Sequence, residues 1–171
     1  MKSQLKTIEK KIFSPDRAKR ECARLRRAKR KIVFTNGCFD ILHPGHVLYL
    51  EKAKKRGDIL VVALDTDRAV QKLKGPTRPI NSLGSRMQVI AALQSVDMVT
   101  WFENANPIPL ILNLKPHVLV KGGDWKPDQI LGSKEVREWG GKVFSLPFVE
   151  GNSTTRIINQ IIQKGADSSA V

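Results

Sequence analysis

The sequence predicts an α/β fold with a five-stranded parallel sheet covered by helices on both faces. Three observations predict it. Strand-like and helix-like segments alternate about five times along 171 residues, as repeated βα units do. Residues 59–64 are continuously apolar rather than alternating, which suits a strand buried on both faces. The unusual polar clusters follow predicted strands, and that rim is where open α/β sheets bind ligands.

Each element has its own signal. Leu5, Ile8 and Ile12 recur at helical spacing and predict a short amphipathic helix over 3–12. Ser14-Pro15-Asp16 starts a second helix with a capping hydroxyl, a proline at the first helical position and an acid in the first turn. Ala18, Cys22 and Leu25 share one face of it. The first strand spans 31–34. A helix enters at Pro44 and stops near Gly57. The second strand covers 58–64, and a short helix follows around 68–73. Ser82 caps a helix that runs to residue 94, with Met87, Ile90 and Leu93 inward. A strand over 98–102, a helix over 107–114, a strand over 118–120 and a helix over 133–139 come next. Gly140-Gly141 closes that helix. The last strand is 143–146, the last helix 153–163, and 165–171 frays.

The chain reads as one nucleotide-handling domain over 31–165, with a basic helical extension over 1–30 and a flexible tail over 166–171. No repeat or second domain is evident. The formal charge of +14 is concentrated early, since residues 1–31 hold thirteen Lys/Arg against three acids. Such an arm could meet nucleic acid, but a solvated helix face is the better reading, and only Phe13 offers an aromatic surface there. Two cysteines give no disulfide framework. No apolar run reaches the ~20 residues of a membrane helix, and no signal-peptide core is visible. A cytoplasmic, reduced setting is expected.

The richest segment is Thr35-Asn36-Gly37-Cys38-Phe39-Asp40-Ile41-Leu42-His43-Pro44-Gly45-His46. Two imidazoles three residues apart share one face at a helix start. The helix end already attracts anions, and Gly45 lets a phosphate approach the backbone. A capping histidine with a core histidine, or a metal pair, are the alternatives. Asp40 could bind backbone N–H groups or sit near a phosphate-borne Mg²⁺. Residues 68–96 contain no acid yet hold Arg68, Lys72, Lys74, Arg78 and Arg86, which suits a phosphorylated substrate. Lys72 and Lys74 cannot point the same way on a helix, so a loop or flap is expected there. Lys121-Gly122-Gly123-Asp124 leaves bare backbone for a base, with Asp124 free to accept from a ribose. Asp65-Thr66-Asp67 lies on the same rim. Gly151-Asn152-Ser153-Thr154-Thr155 opens a second anion-ready helix end. With no P-loop, no Gly-x-Gly-x-x-Gly and no Ser-His-Asp pattern, attack by a substrate phosphate on a nucleoside triphosphate fits best.

These residues resemble the signature of the nucleotidyltransferases with a His-x-Gly-His motif. Lys72-Leu73-Lys74-Gly75, Arg78-Pro79-Ile80-Asn81, Val120–Trp125, Gly132–Val136 and Gly151–Thr155 narrow the likeness to D-glycero-β-D-manno-heptose 1-phosphate adenylyltransferases. The resemblance spans about residues 14–163. It implies a Rossmann-like fold, ATP as co-substrate, Mg²⁺ held mainly through ATP phosphates with no protein metal site, and a product for lipopolysaccharide core or related heptose glycans. It implies that His43, His46 and Lys74 are catalytic. Thr35, Asn36, Gly37, Cys38, Phe39, Gly45, Lys121, Gly122, Asp124, Gly151, Ser153, Thr154 and Thr155 would bind nucleotide. Asp40, Asp67, Lys72, Arg78 and Arg86 would bind the sugar phosphate. A heptose 7-phosphate kinase and a phosphatase would act upstream, and a homodimer is expected. Cytidylyltransferases of the superfamily carry Arg-Thr where this chain has Phe148-Val149, which disfavours CTP and glycerol phosphate. Residues 1–13 lie outside the resemblance.

Overall fold

The structure is a computed structural model that describes residues 7–147 and 151–168. Phe148-Val149 and residues 1–6 and 169–171 lie outside the described residues, as do the side chains of 166–168.

Thirteen residues form α1, Pro15–Arg27, capped by Ser14, whose side chain accepts from the Arg17 N–H. Strand β1 (Ile32–Gly37) leads through the histidine loop to α2 (Pro44–Lys54). Strand β2 (Ile59–Asp65) is followed by α3 (Asp67–Lys74) and α4 (Leu83–Ala91). Strand β3 (Met98–Phe102), α5 (Ile108–Leu114) and β4 (Val118–Gly122) come next. A 3-10 turn at Pro127–Gln129, α6 (Ser133–Glu138), β5 (Lys142–Leu146) and α7 (Thr154–Ser168) complete the chain.

All five strands are parallel, in the order β3-β2-β1-β4-β5. This is the parallel sheet that the alternating segments predict, in the Rossmann-like form that the resemblance implies. Strand side chains alternate between two cores. Ile32, Phe34, Val61, Ala63 and Leu119 pack with α1, α5 and α6, whereas Val33, Leu60, Val62, Leu64 and Val120 pack with α2 and α4. Two-sided burial explains why the strand sequences are continuously apolar.

The order reverses between β1 and β4, and those strands part early. Their pairing covers Val33 with Val118 and Phe34 with Leu119. Beyond that point the Tyr49 hydroxyl lies 2.6 Å from Thr35 Oγ1 and donates to Val120 O at 3.3 Å. Lys121 Nζ donates to Asn36 O at 3.2 Å. Side chains thus hold the crevice where the backbone ladder stops, which is the site that strand reversal makes available.

The N-terminal segment is more integrated than its charge suggests. Ala18, Cys22 and Leu25 of α1 join the core. The first helical turn ends at Lys10 rather than residue 12. Lys11–Phe13 lie extended beside β3, where Phe13 N donates to Val99 O and Val99 N donates to Lys11 O, both at 2.8 Å. Pairing at the open sheet edge outweighs helical spacing here. Helix α7 runs to Ser168 instead of fraying after Gln163. Among the described residues, no helix is long and apolar enough to cross a membrane.

Candidate active site

A cleft of about 610 Å³ opens at the carboxyl ends of β1 and β4. Its floor comes from Asn36, Gly37, Cys38, Phe39, Lys121 and Gly122. One wall is the start of α2, with His43, Gly45, His46 and Tyr49. Another is the start of α7, with Gly151, Asn152, Ser153, Thr154, Thr155 and Arg156. Lys74 and Arg78 reach in from α3 and the loop after it.

The histidine rings stack with centroids 3.8 Å apart and planes 24° from parallel. Phe39 lies against His46 at 5.2 Å. Neither Nδ1 atom has a hydrogen-bond partner, although both are buried. Burial lowers the pKa of His43. Burial, then the charge of His43, lowers that of His46 to about 4. At neutral pH both imidazoles are therefore uncharged, and their ring nitrogens without protein partners suit an anion's oxygens. Capping does not account for His43, which makes no side-chain cap bond. Space at Gly45 is tight. A Cβ there would lie 3.0 Å from His43 Nδ1 and 3.2 Å from Asn152 Cβ, closing the gap between the two helix starts.

The second helix start is tied to the first. Thr154 Oγ1 donates to Ile41 O at 3.1 Å. Ser153 Oγ accepts from Arg156 N at 3.1 Å, and Arg156 Nη1 donates to Gly151 O at 3.1 Å. Capping is thus a role of Ser153, and its position also puts it in the cleft.

Two expected substrate ligands, Arg86 and Asp40, are bonded into the frame, and Asp40 also lines the cleft. Arg86 is 1% exposed. It donates to Asn81 O (3.0 Å), Cys38 O (2.6 Å), Asp65 O (2.8 Å) and Asp67 Oδ1 (2.7 Å). Four of its five N–H donors are thereby committed, one of them to Asp67, and its burial leaves no exposure for a sugar phosphate. Asp40 accepts from Arg78 Nε at 2.6 Å, from Ile80 N at 2.9 Å and from Asn81 N at 2.9 Å. Burial alone would raise its pKa, but the Asn81 and Ile80 N–H groups and the Arg78 guanidinium hold it below the usual value. Of the two roles open to Asp40, the structure favours the backbone-binding one.

Three more residues stand away from the cleft. Lys72 and Lys74 are on helix α3, not on a flap, and they diverge as their spacing requires. Lys74 lines the cleft, whereas Lys72 lines a separate hollow with Thr66, Arg68 and Glu103. Thr35 is fully buried, with its hydroxyl on Tyr49. Asp124 is exposed on the loop after β4, outside the cleft lining.

Tyr49, Pro147 and Arg156 line the cleft without having been predicted, whereas Asn152 lines it as part of the expected 151–155 helix opening. Tyr49 follows His46 by three residues, so helical spacing could have found it. Arg156 adjoins the hydroxyl cluster. Cys38 also lines the cleft, but burial pushes its thiol to about 11 and Asp65 reinforces this, so it is no nucleophile at neutral pH. Among the described residues, no three His, Cys, Asp or Glu side chains gather as metal ligands.

Two predictions follow from this geometry. Arg86→Met should destabilise the fold by about 1–3 kcal/mol, because it strands the buried Asp65 carbonyl and removes the bonds to three part-buried acceptors around it. Urea unfolding with an unchanged midpoint would contradict it. The pH effect of His46 has a definite sign. Its folded-state pKa of about 4 lies below the ordinary 6.5, so the unfolded chain takes the proton first. Stability is full above that ordinary value and declines as pH falls toward the folded one. His46→Asn should shrink the stability difference measured between about pH 7 and pH 5. An undiminished difference would count against the burial argument.

A family model described as cytidylyltransferase-like matches residues 34–160, which include both helix starts of the cleft. Bifunctional protein HldE of Histophilus somni is 58% identical over 133 residues, covering 78% of this chain and 28% of that protein. Its counterpart from Haemophilus ducreyi is 53% identical over 150 residues, covering 88% of this chain and 32% of that protein. The chain therefore spans about a third of the length of the curated relatives it matches. The crystal structure of the lipopolysaccharide core biosynthesis protein from Thermoplasma volcanium has a TM-score of 0.57 and 27% identity, covering 72% of this chain and 99% of that one. Pantoate-beta-alanine ligase from Francisella tularensis, with a TM-score of 0.57 at 19% identity over 80% of this chain and 66% of that one, shares the fold. With its parallel sheet reversing at a cleft walled by two helix starts, and with most of its length matched by the family model, the chain belongs to the cytidylyltransferase-like family of nucleotidyltransferases.

Proposed function

We propose that this chain transfers AMP from ATP to D-glycero-β-D-manno-heptose 1-phosphate, forming ADP-heptose for lipopolysaccharide core or related heptose glycans. The observation that carries the reading is the stacked pair of neutral, unpartnered imidazoles at the start of α2. They share one cleft with Lys74, Arg78 and the hydroxyls that open α7. The heptose assignment is supported by the motifs at 72–81, 120–125 and 132–136, and by relatives named HldE at 53–58% identity. A solved relative at 27% identity is titled as a lipopolysaccharide core biosynthesis protein, which supports the same product.

In the proposed reaction, an oxygen of the sugar phosphate attacks the α-phosphorus of ATP. A P–O bond forms there, and the bond to the oxygen bridging the α- and β-phosphates breaks. Pyrophosphate leaves with that electron pair. Catalysis then lies in positioning and charge stabilisation, with no protein nucleophile. His43 and His46 give N–H bonds to triphosphate oxygens, and a bound polyanion favours their protonation. Lys74 brings a full positive charge, as does the part of Arg78 not held by Asp40. The first turn of α7 takes the triphosphate from the other side through Ser153, Thr154 and Thr155. Asn36, Gly37, Cys38, Phe39, Lys121 and Gly122 form the floor for the nucleoside.

Mg²⁺ would lower the charge on the phosphates. Asp40 and Asp67 are engaged by arginines, and the described residues supply no ligand cluster, so the ion would be held by phosphate oxygens rather than by a protein site. The reaction needs a heptose phosphorylated at C1 alone. A heptose 7-phosphate kinase and a phosphatase acting upstream would supply it, in the ATP-rich cytoplasm.

Pyrophosphate release measured with ATP or CTP, each paired with heptose 1-phosphate or glycerol 3-phosphate, tests the assignment. The ATP–heptose pair should dominate. Turnover confined to CTP with glycerol phosphate would replace this reading with a polyol cytidylyltransferase. Within the site, His43→Ala or His46→Ala should lower kcat by about 10²–10³, the range for loss of one donor to developing charge. Lys74→Ala should behave similarly, whereas Lys72→Ala should stay near wild type. Equal losses at both lysines would refute their separation.

A further inference from the structure

A buried carboxylate lies behind the cleft floor. Asp65 ends β2 and is 4% exposed. Among the described residues it makes no direct ion pair. Its side chain accepts from the Cys38 thiol at 3.7 Å, and a thiol is a weak donor. Arg86 takes the main-chain oxygen of Asp65 and leaves the carboxylate alone. A carboxylate so withdrawn from water is costly unless an opposite charge stands near it.

Lys121 is that charge. It lines the cleft, and its Nζ donates to Asn36 O at 3.2 Å. The β1–β4 ladder pairs Val33 with Val118 and Phe34 with Leu119, and the same register carried on sets Lys121 beside Asn36. The ammonium thus bridges the two strands just past the point where their ladder stops. It has three donors, and this bond uses one. Each group favours the charged form of the other. Burial lowers the pKa of Lys121, and Asp65, followed by Cys38, opposes it. Burial raises the pKa of Asp65, and Lys121 opposes it ahead of the Cys38 bond and the charge of Arg86.

We propose that Asp65 is a positioning residue for nucleotide binding, which holds the Lys121 ammonium at the split between β1 and β4 so that its remaining donors meet the AMP moiety of ATP. The inference rests on the adenylyl transfer proposed above. Lys121 then serves the part of ATP that stays in the product, while the histidines and the start of α7 serve the phosphates. Asp65 is outside the cleft lining, so its effect passes through Lys121. That route has a sign of its own. A carboxylate acting directly on a nucleotide would repel it, and its removal would tighten binding at every pH. Acting through Lys121, its removal leaves burial unopposed. Lys121 then gives up its proton at lower pH, and affinity falls away earlier on the alkaline side.

Carbon-13 NMR of the lysine ε-carbons in the full 171-residue chain, titrated without nucleotide, reads the coupling. Lys121→Arg removes one signal and so assigns it. Asp65→Asn should move the midpoint of that signal to lower pH. Calorimetric titration with ATP and with AMP, between about pH 7 and 10, reads the function. The Cys38 thiol, pushed up to about 11, keeps its proton over most of this range. Affinity for both nucleotides should fall away at lower pH in Asp65→Asn than in wild type. Lys121→Met should weaken ATP and AMP alike, by about 10–100-fold, as loss of a charged hydrogen bond does. An unmoved midpoint would overturn the proposal. So would tighter binding by Asp65→Asn at every pH, or a Lys121→Met loss seen with ATP and not with AMP. Should Asp65→Asn fail to fold by circular dichroism, Lys121→Met gives the converse reading. The Asp65 carboxyl midpoint should then rise, and an unmoved one would overturn the pairing. A wild-type chain that binds neither nucleotide would overturn the adenylyl-transfer reading and this inference with it. The midpoint shift, read without nucleotide, tells that failure apart from one at Asp65.

Discussion

The rim of the sheet depends on one buried guanidinium. Arg86 reaches from α4 to carbonyl oxygens after β1 and at the end of β2, to the loop before α4 itself, and to the carboxylate that begins α3. Parallel strands end with unpaired carbonyls, and a loop-rich rim has no ladder to satisfy them. A planar cation with several donors in fixed directions can serve several such groups at once, which an ammonium cannot match. Asp40 completes the frame from the opposite charge. It gathers Arg78 and two successive N–H groups of the loop before α4. The histidine loop and the lysine-bearing helix are thereby held to the same small set of atoms.

Once the rim is fixed, the cleft can carry unmet polarity. Buried imidazole nitrogens without a protein partner cost stability, because burial takes them from bulk water and the fold supplies no bond in exchange. Here the cost falls on two rings whose burial also keeps them uncharged. Lys121 shows the same balance at the floor. Burial lowers its pKa, nearby Asp65 opposes that, and its ammonium is anchored on Asn36 O. The Arg86 and Asp40 bonds fix the loops around the site through protein groups alone, which limits what binding must reorganise.

Much of this was legible in the sequence, for physical reasons that differ by element. Strands buried on both faces announce themselves as apolar runs, and the caps at Ser14 and Ser82 are local chemistry, so both are found without tertiary knowledge. The clusters after β1 and β4 and before α7 also meet as expected, because strand ends of a parallel sheet share one rim. Side-chain destination was less legible. Nothing local distinguishes an arginine that grips a substrate from one that grips four chain segments, and Arg86 proved to be the second kind. Lys72 and Lys74 were correctly seen to diverge, and a short helix around 68–73 was legible, but a loop or flap was expected at the two lysines where the helix runs on through Lys74. The end of the first helical turn was missed because pairing with a distant strand, Val99, decides it.

That same pairing bears on how the protein behaves in a crowded solution. The free edge of a parallel sheet is a row of donors and acceptors that any extended chain can join. At Val99 the outward N–H and C=O of β3 are already taken by Lys11 and Phe13. The flanking residues are Lys10, Lys11 and, one helix later, a run of arginines. A short segment thus occupies the edge while its charges repel a newcomer, so the strongly basic start of the chain acts as a guard against strand-to-strand aggregation.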